Sequence, residues 1–73
     1  MIELIRTNDA VLLSFVESLM KEAGILHFIA DSNMSILDGS IGLLPRRFMV
    51  EGDREEEARQ IIRDVGLEAE LRD

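Results

Sequence analysis

Arg46 and Arg47 form the only basic doublet in the chain, and they follow a run, Gly39-Ser40-Ile41-Gly42-Leu43-Leu44-Pro45, that holds two glycines and a serine. Guanidinium groups take carboxylates and phosphates in a planar fork, and successive backbone amides around glycine make anion-binding concavities. Arg46 or Arg47, with the amides of Gly39, Ser40 or Gly42, is therefore a candidate site for a small anion or nucleotide. Adjacent strand residues point to opposite faces, so both guanidinium groups reach one phosphate only if a bulge after Pro45 turns them the same way. The simpler expectation pairs one arginine with Asp31 and leaves the other in solvent, since surface ion pairs are common and contribute little. The spacing G-S-I-G is not a phosphate-loop motif.

The inventory for catalysis is thin. His27 is the sole histidine and sits among Ile25, Leu26, Phe28 and Ile29, a setting that suits a half-buried structural imidazole better than a general base. Ser32, Ser35 and Ser40 have no nucleophile-elbow sequence around them. Cysteine and tyrosine are absent, Lys21 is the single lysine, and only scattered acids could join His27 on a metal. These residues point away from an enzyme and give no reason to expect a metal or cofactor.

The elements that must position these residues can be read from periodicity. Met1–Thr7 reads as a strand, with Ile2 and Leu4 on one face and Glu3 and Ile5 on the other. Thr7-Asn8-Asp9 offers capping side chains to a helix from Asp9 to Ala23, whose apolar stripe is Leu12, Phe15, Val16, Leu19 and Ala23, and Gly24 stops it. Ile25–Ala30 is a short apolar strand, expected to be buried on both faces. A third strand covers Arg47–Glu51. Asp53-Arg54-Glu55-Glu56 has the form of a capping box for a second helix that runs to about Val65, with Ala58, Ile61, Ile62 and Val65 as its stripe and Glu55 to Arg59 as an i,i+4 pair. Gly66-Leu67 should end it, and Glu68–Leu71 is a weak fourth strand within the tail 67–73. The order is that of an α+β, ferredoxin-like βαββα(β) sandwich, with two helices on one face of an antiparallel sheet, a long connection between the second and third strands, and a weak or absent last strand.

That connection, 31–47, exceeds the usual hairpin loop of about two to five residues, and connections beyond about 12 to 15 are commonly functional. It carries Met34, Ile36, Leu37, Ile41, Leu43 and Leu44, unlike a disordered linker. Asp38-Gly39 signals a two-residue turn. Taken as a hairpin tip, it sets Asp31 opposite Arg46, Ile29 opposite Phe48 and His27 opposite Val50. Pro45 and Gly42 predict a bulge or break between this arm and the sheet. The arm either extends the core and joins two copies, or acts as a recognition element for a partner or ligand; a flexible connection is the third possibility.

At 73 residues the chain is a single domain, 1–73, of a size at which one core barely suffices, and with no cysteine available, oligomerisation is the remaining way to stabilise it. Three phenylalanines and no tryptophan make the core aliphatic. Apolar residues on both faces of the first three strands predict an apolar open sheet face and hence a homo-oligomer. The formal charge of −7, more acidic in 51–73 than before it, argues against nucleic acid and anionic membranes as main partners. The lack of cysteine, signal peptide and long apolar run fits a cytoplasmic protein.

Three stretches, MIELIRTNDAVLLSFVESLMKEAGI, HFIADSNMSILDGSIGLLPRRFMV and EEEARQIIRDVG, together resemble the small bacterial family described as putative prokaryotic signal transducing protein; N-M-S-x-L-x-G-S-I-G-x-L-P-R-R is the most specific part. The resemblance implies a PII-like, ferredoxin-like β-α-β-β-α core and a signalling or protein-binding role. In PII-like proteins the loop after the second strand contacts target proteins, and 31–47 occupies that place, although no PII nucleotide-binding motif can be matched here. No functional residue carries over from the resemblance; the candidate binding residues, taken from the arm itself, are Asn33, Met34, Ser35, Gly39, Ser40, Gly42, Arg46 and Arg47. The expectation is a non-catalytic signal-transducing module that binds a protein partner through the arm; an anion or nucleotide sensor and a structural oligomerisation domain are the alternatives.

Overall fold

The computed structural model describes residues 1–30 and 45–72. In chain order these form strand β1 (Ile2–Thr7), helix α1 (Ala10–Ala23), strand β2 (His27–Ala30), strand β3 (Arg46–Val50), a 3₁₀ turn (Gly52–Arg54), helix α2 (Glu55–Asp64) and a second 3₁₀ turn (Glu68–Glu70). The strands make one antiparallel sheet in the order β1-β3-β2, with both helices packed on one side, a ferredoxin-like α+β arrangement.

Asp9 caps α1, its carboxylate accepting from the amides of Val11 and Leu12 at 2.9 and 3.1 Å. Both helices end on glycines in the left-handed region, Gly24 at φ 71° and Gly66 at φ 80°. The amides of Gly24 and Ile25 bond back to the carbonyls of Lys21 and Met20, and those of Gly66 and Leu67 to Arg63 and Ile62. This paired pattern satisfies carbonyls that the last helical turn leaves open, and it requires a residue without the Cβ penalty at positive φ.

The capping box does not form. The chain enters α2 through the 3₁₀ turn, Arg54 stands at the cap position, and no side chain caps the first turn. Arg54 is used differently: its guanidinium donates to the carbonyls of Gly24 and Ala23 at 2.7 and 3.0 Å and to Glu57 at 2.9 Å. Beside it, Glu51 accepts the Leu26 amide at 2.8 Å, and its own amide donates to the Leu26 carbonyl. One junction therefore ties the α1–β2 corner to the β3–α2 corner.

The core is aliphatic around one aromatic ring: Leu4, Ile5, Leu13, Val16, Met20, Ile25, Phe48, Val50, Ala58 and Ile62 are buried. The buried face of α1 is rotated from the expected stripe. Leu13 and Met20 lie in the core, whereas Phe15 is 45% exposed, because the sheet lies under the Leu13–Val16–Met20 line. In α2, Ala58 and Ile62 are buried, Val65 is 40% exposed, and the Glu55–Arg59 pair is present at 3.9 Å. His27 is a packed side chain, 12% exposed, stacked on Phe48 with ring centres 5.5 Å apart; Nδ1 lies 2.8 Å from the Ile25 carbonyl and so carries the proton that it donates there.

β2 pairs with β3 in the register that the Asp38-Gly39 turn predicts, His27 opposite Val50 and Ile29 opposite Phe48. β2 is not buried on both faces. Among the described residues it is an edge strand covered by helices on one side, and Leu26 just before it and Phe28 within it are 68% and 46% exposed. The fourth strand is a rudiment: residues 68–70 form a 3₁₀ turn, and only Leu71 bridges Ile5, on the side of β1 away from β3.

β1 departs most from simple alternation. Its register against β3 shifts between Glu3 and Ile5, which leaves Leu4 as an extra residue. The adjacent Leu4 and Ile5 are consequently both fully buried. From this packing, Phe48→Ala should cost about 3–5 kcal/mol in urea unfolding, as deletion of a buried aromatic does, whereas Phe15→Ala should cost less than about 1 kcal/mol.

Candidate functional site

The helices leave one face of the sheet open, and the register specifies what lies on it. Ile2, Ile5, Ile29, Phe48 and Val50 face the helices. Alternation then places two rows on the other side: Glu3, Met49 and Phe28 across the three strands, and next to them Arg6, Arg47 and Ala30. The face is therefore mixed, with an apolar half at Met49, Phe28 and Ala30 and a charged half on β1 and β3. This corrects the apolar open face expected from the sequence.

The bulge builds the charged half. In an unbroken strand, residues three apart point to opposite faces; with Leu4 inserted, Glu3 and Arg6 share one. Their carboxylate and guanidinium meet at 3.0 Å. Arg72 reaches the other carboxylate oxygen, Nε to Oε2 at 3.3 Å. Its backbone is held on both sides, the amide donating to the Leu4 carbonyl at 2.9 Å and the carbonyl accepting from Arg59 at 2.7 Å. Arg47, opposite Arg6 in the ladder, adds its field. The hydrogen bond from Arg6 keeps the Glu3 carboxyl below the ordinary glutamate value of 4.5 against the opposing effect of desolvation, and the charges of Arg6, Arg72 and Arg47 act with it.

Arg46 and Arg47 are both exposed and lie on opposite faces, as strand alternation requires: Arg46 pairs with Thr7 and Arg47 with Arg6. From Arg46 onward β3 pairs regularly with β1, so no bulge turns the two arginines the same way; the bulge or break expected between the arm and the sheet falls on residues outside those described. The two arginines therefore do not clamp a single anion, and it is Arg6 and Arg47 that share a face. Asn33, Met34, Ser35, Gly39, Ser40 and Gly42 lie outside the described residues, as do the Asp38-Gly39 turn and the Asp31–Arg46 pair. Sequence reading overlooked Glu3, Arg6 and Arg72. The available signal was the adjacent Leu4-Ile5 in an otherwise alternating strand, which marks a position where the period of two fails.

Among the described residues no group of three or more histidines, acids or cysteines could hold a metal ion, and no helix is long and apolar enough to cross a membrane.

A family model described as "Putative prokaryotic signal transducing protein" matches residues 1–66, all but the end of the chain. A comparison with curated proteins gives no match.

Two carboxyls should titrate low. Glu3 does so because of Arg6, and Glu57 because it accepts from Arg54. Each binds protons less readily in the folded chain than in the unfolded one. Their stabilising contribution is therefore complete above the ordinary carboxyl range and lost as pH falls through their lowered values. In a carbon-detected NMR titration both should show midpoints below 4.5. Arg6→Ala should raise the Glu3 midpoint and leave that of Glu57 in place.

Proposed function

We propose that this chain, which belongs to the family described as putative prokaryotic signal transducing protein, is a non-catalytic binding module that passes on a signal by docking a protein partner. The docking region comprises the arm 31–47, the edge strand β2 and the open sheet face.

The observation that carries this reading is the state of β2. It ends at Ala30, where the arm begins, it has β3 as its only neighbour among the described strands, and it carries Phe28 out to solvent with Leu26 exposed just before it. An edge strand with unpaired backbone groups and exposed apolar side chains is a ready template for an extended segment of another chain, with backbone pairing supplying affinity and side chains specificity. The arm's apolar residues, Ile36, Leu37, Leu43 and Leu44, support the same reading from the sequence. A regulatory module also suits the residue inventory: His27 is occupied in packing against Phe48.

The test is to shorten the arm so that Asp38-Gly39 alone joins the two strands, and to compare the proteins captured from a native lysate with those captured by the full chain. The shortened chain should keep its helical circular dichroism and lose the captured partner. Unchanged capture would contradict a role for the arm, and a doubled mass without any heterologous partner, seen by light scattering, would favour a structural oligomerisation domain.

A further inference from the structure

We propose that the open sheet face is a docking site for an extended acidic segment of a partner protein, with Arg6 and Arg47 taking its carboxylate, Met49 and Phe28 its apolar side chain, and Glu3 standing in for the carboxylate in the free chain. The inference rests on the reading of the chain as a protein-binding module and gives that partner a chemistry.

Charge complementarity supplies the first argument. Among the described residues Arg6, Arg47 and Arg72 surround one glutamate, a local excess of positive charge on a chain whose formal charge is −7. The basic residues of α2 are matched differently: Arg59 meets Glu55, and Arg63 meets Glu56 and Glu68. An acidic segment is thus repelled by the helical side of the molecule and attracted to the sheet side, which fixes orientation as well as affinity.

Spacing supplies the second argument. The row of Arg6 and Arg47 and the row of Met49 and Phe28 are two residues apart along the strands, about 6.6–6.8 Å. In an extended peptide, side chains on one face are separated by the same two residues. A segment with an acid at one position and a large apolar residue two positions away therefore matches both rows at once.

Glu3 supplies the third. It already presents a carboxylate to Arg6 and Arg72 at 3.0 and 3.3 Å, so in the free chain it occupies the arginine that an incoming carboxylate would need. It satisfies the arginines in the free chain and competes with the ligand. Removing its charge should strengthen binding, a direction opposite to that expected if Glu3 only supported the fold.

The test uses the full chain and a synthetic peptide, acetyl-Ser-Glu-Ser-Leu-Ser-amide, followed by amide shifts in an NMR titration. Shifts should centre on β1 and β3, Arg47→Ala should weaken binding about fivefold, and Glu3→Gln should tighten it by a similar factor. The peptide with glutamine in place of glutamate should bind more weakly to the unsubstituted chain and be indifferent to Glu3→Gln. Equal or weaker binding by the Glu3→Gln chain, with its amide spectrum otherwise preserved, overturns the proposal. Inorganic phosphate shifting the same amides while the peptide does not overturns it in favour of a small-anion site. Loss of this site with arm-dependent capture intact removes the acidic-segment proposal alone; peptide binding with arm-independent capture leaves it standing and removes the role given to the arm.

Discussion

Leu4 is one residue more than the ladder between β1 and β3 can pair, and much of the molecule follows from how that excess is absorbed. A bulge turns two successive side chains toward the same layer, so Leu4 and Ile5 both enter a core that has few large residues to draw on. It brings Glu3 and Arg6, three positions apart, onto one face. It also engages the Leu4 carbonyl with the amide of Arg72, beside the Ile5–Leu71 bridge. Core, charged face and chain end are thus consequences of one irregularity.

A second constraint holds the end of the sheet where β2 begins and β3 ends. Arg54 satisfies two carbonyls where α1 ends, and Glu51 exchanges hydrogen bonds with Leu26, so the two helix–strand corners cannot separate without losing charge-assisted bonds. The hydrogen bond to Glu57 holds the guanidinium firmly in its charged state. With that end fixed, the end of β3 that bears Arg46 and Arg47 is where the arm joins the sheet.

Much of the fold was legible in the sequence. Both helix-ending glycines, the Asp9 cap and the β2–β3 register were readable because each rests on chemistry local to a few residues. Failures arose where distant parts of the chain decide the outcome. The capping box of Asp53 and Glu56 lost to a 3₁₀ entry in which Arg54 serves the end of the other helix. Phe15 and Phe28 read as core residues because periodicity does not say how far a neighbouring layer extends. Of the candidate site, only Arg46 and Arg47 were named among residues now described. Arg6 and Arg72 were not, because one requires the bulge and the other requires the chain end to return to β1.

The pairing of β1 with β3 underlies both the core and the charged face, and nuclear Overhauser contacts across that ladder in solution test it most directly. The predicted pattern sets Glu3 opposite Met49 and Ile5 opposite Phe48, with Leu4 facing no residue of its own and in contact with the helices. An unbroken ladder would instead set Ile5 opposite Arg47, expose Ile5 on the open face, and separate Glu3 from Arg6. That result would contradict both the core and the site described above.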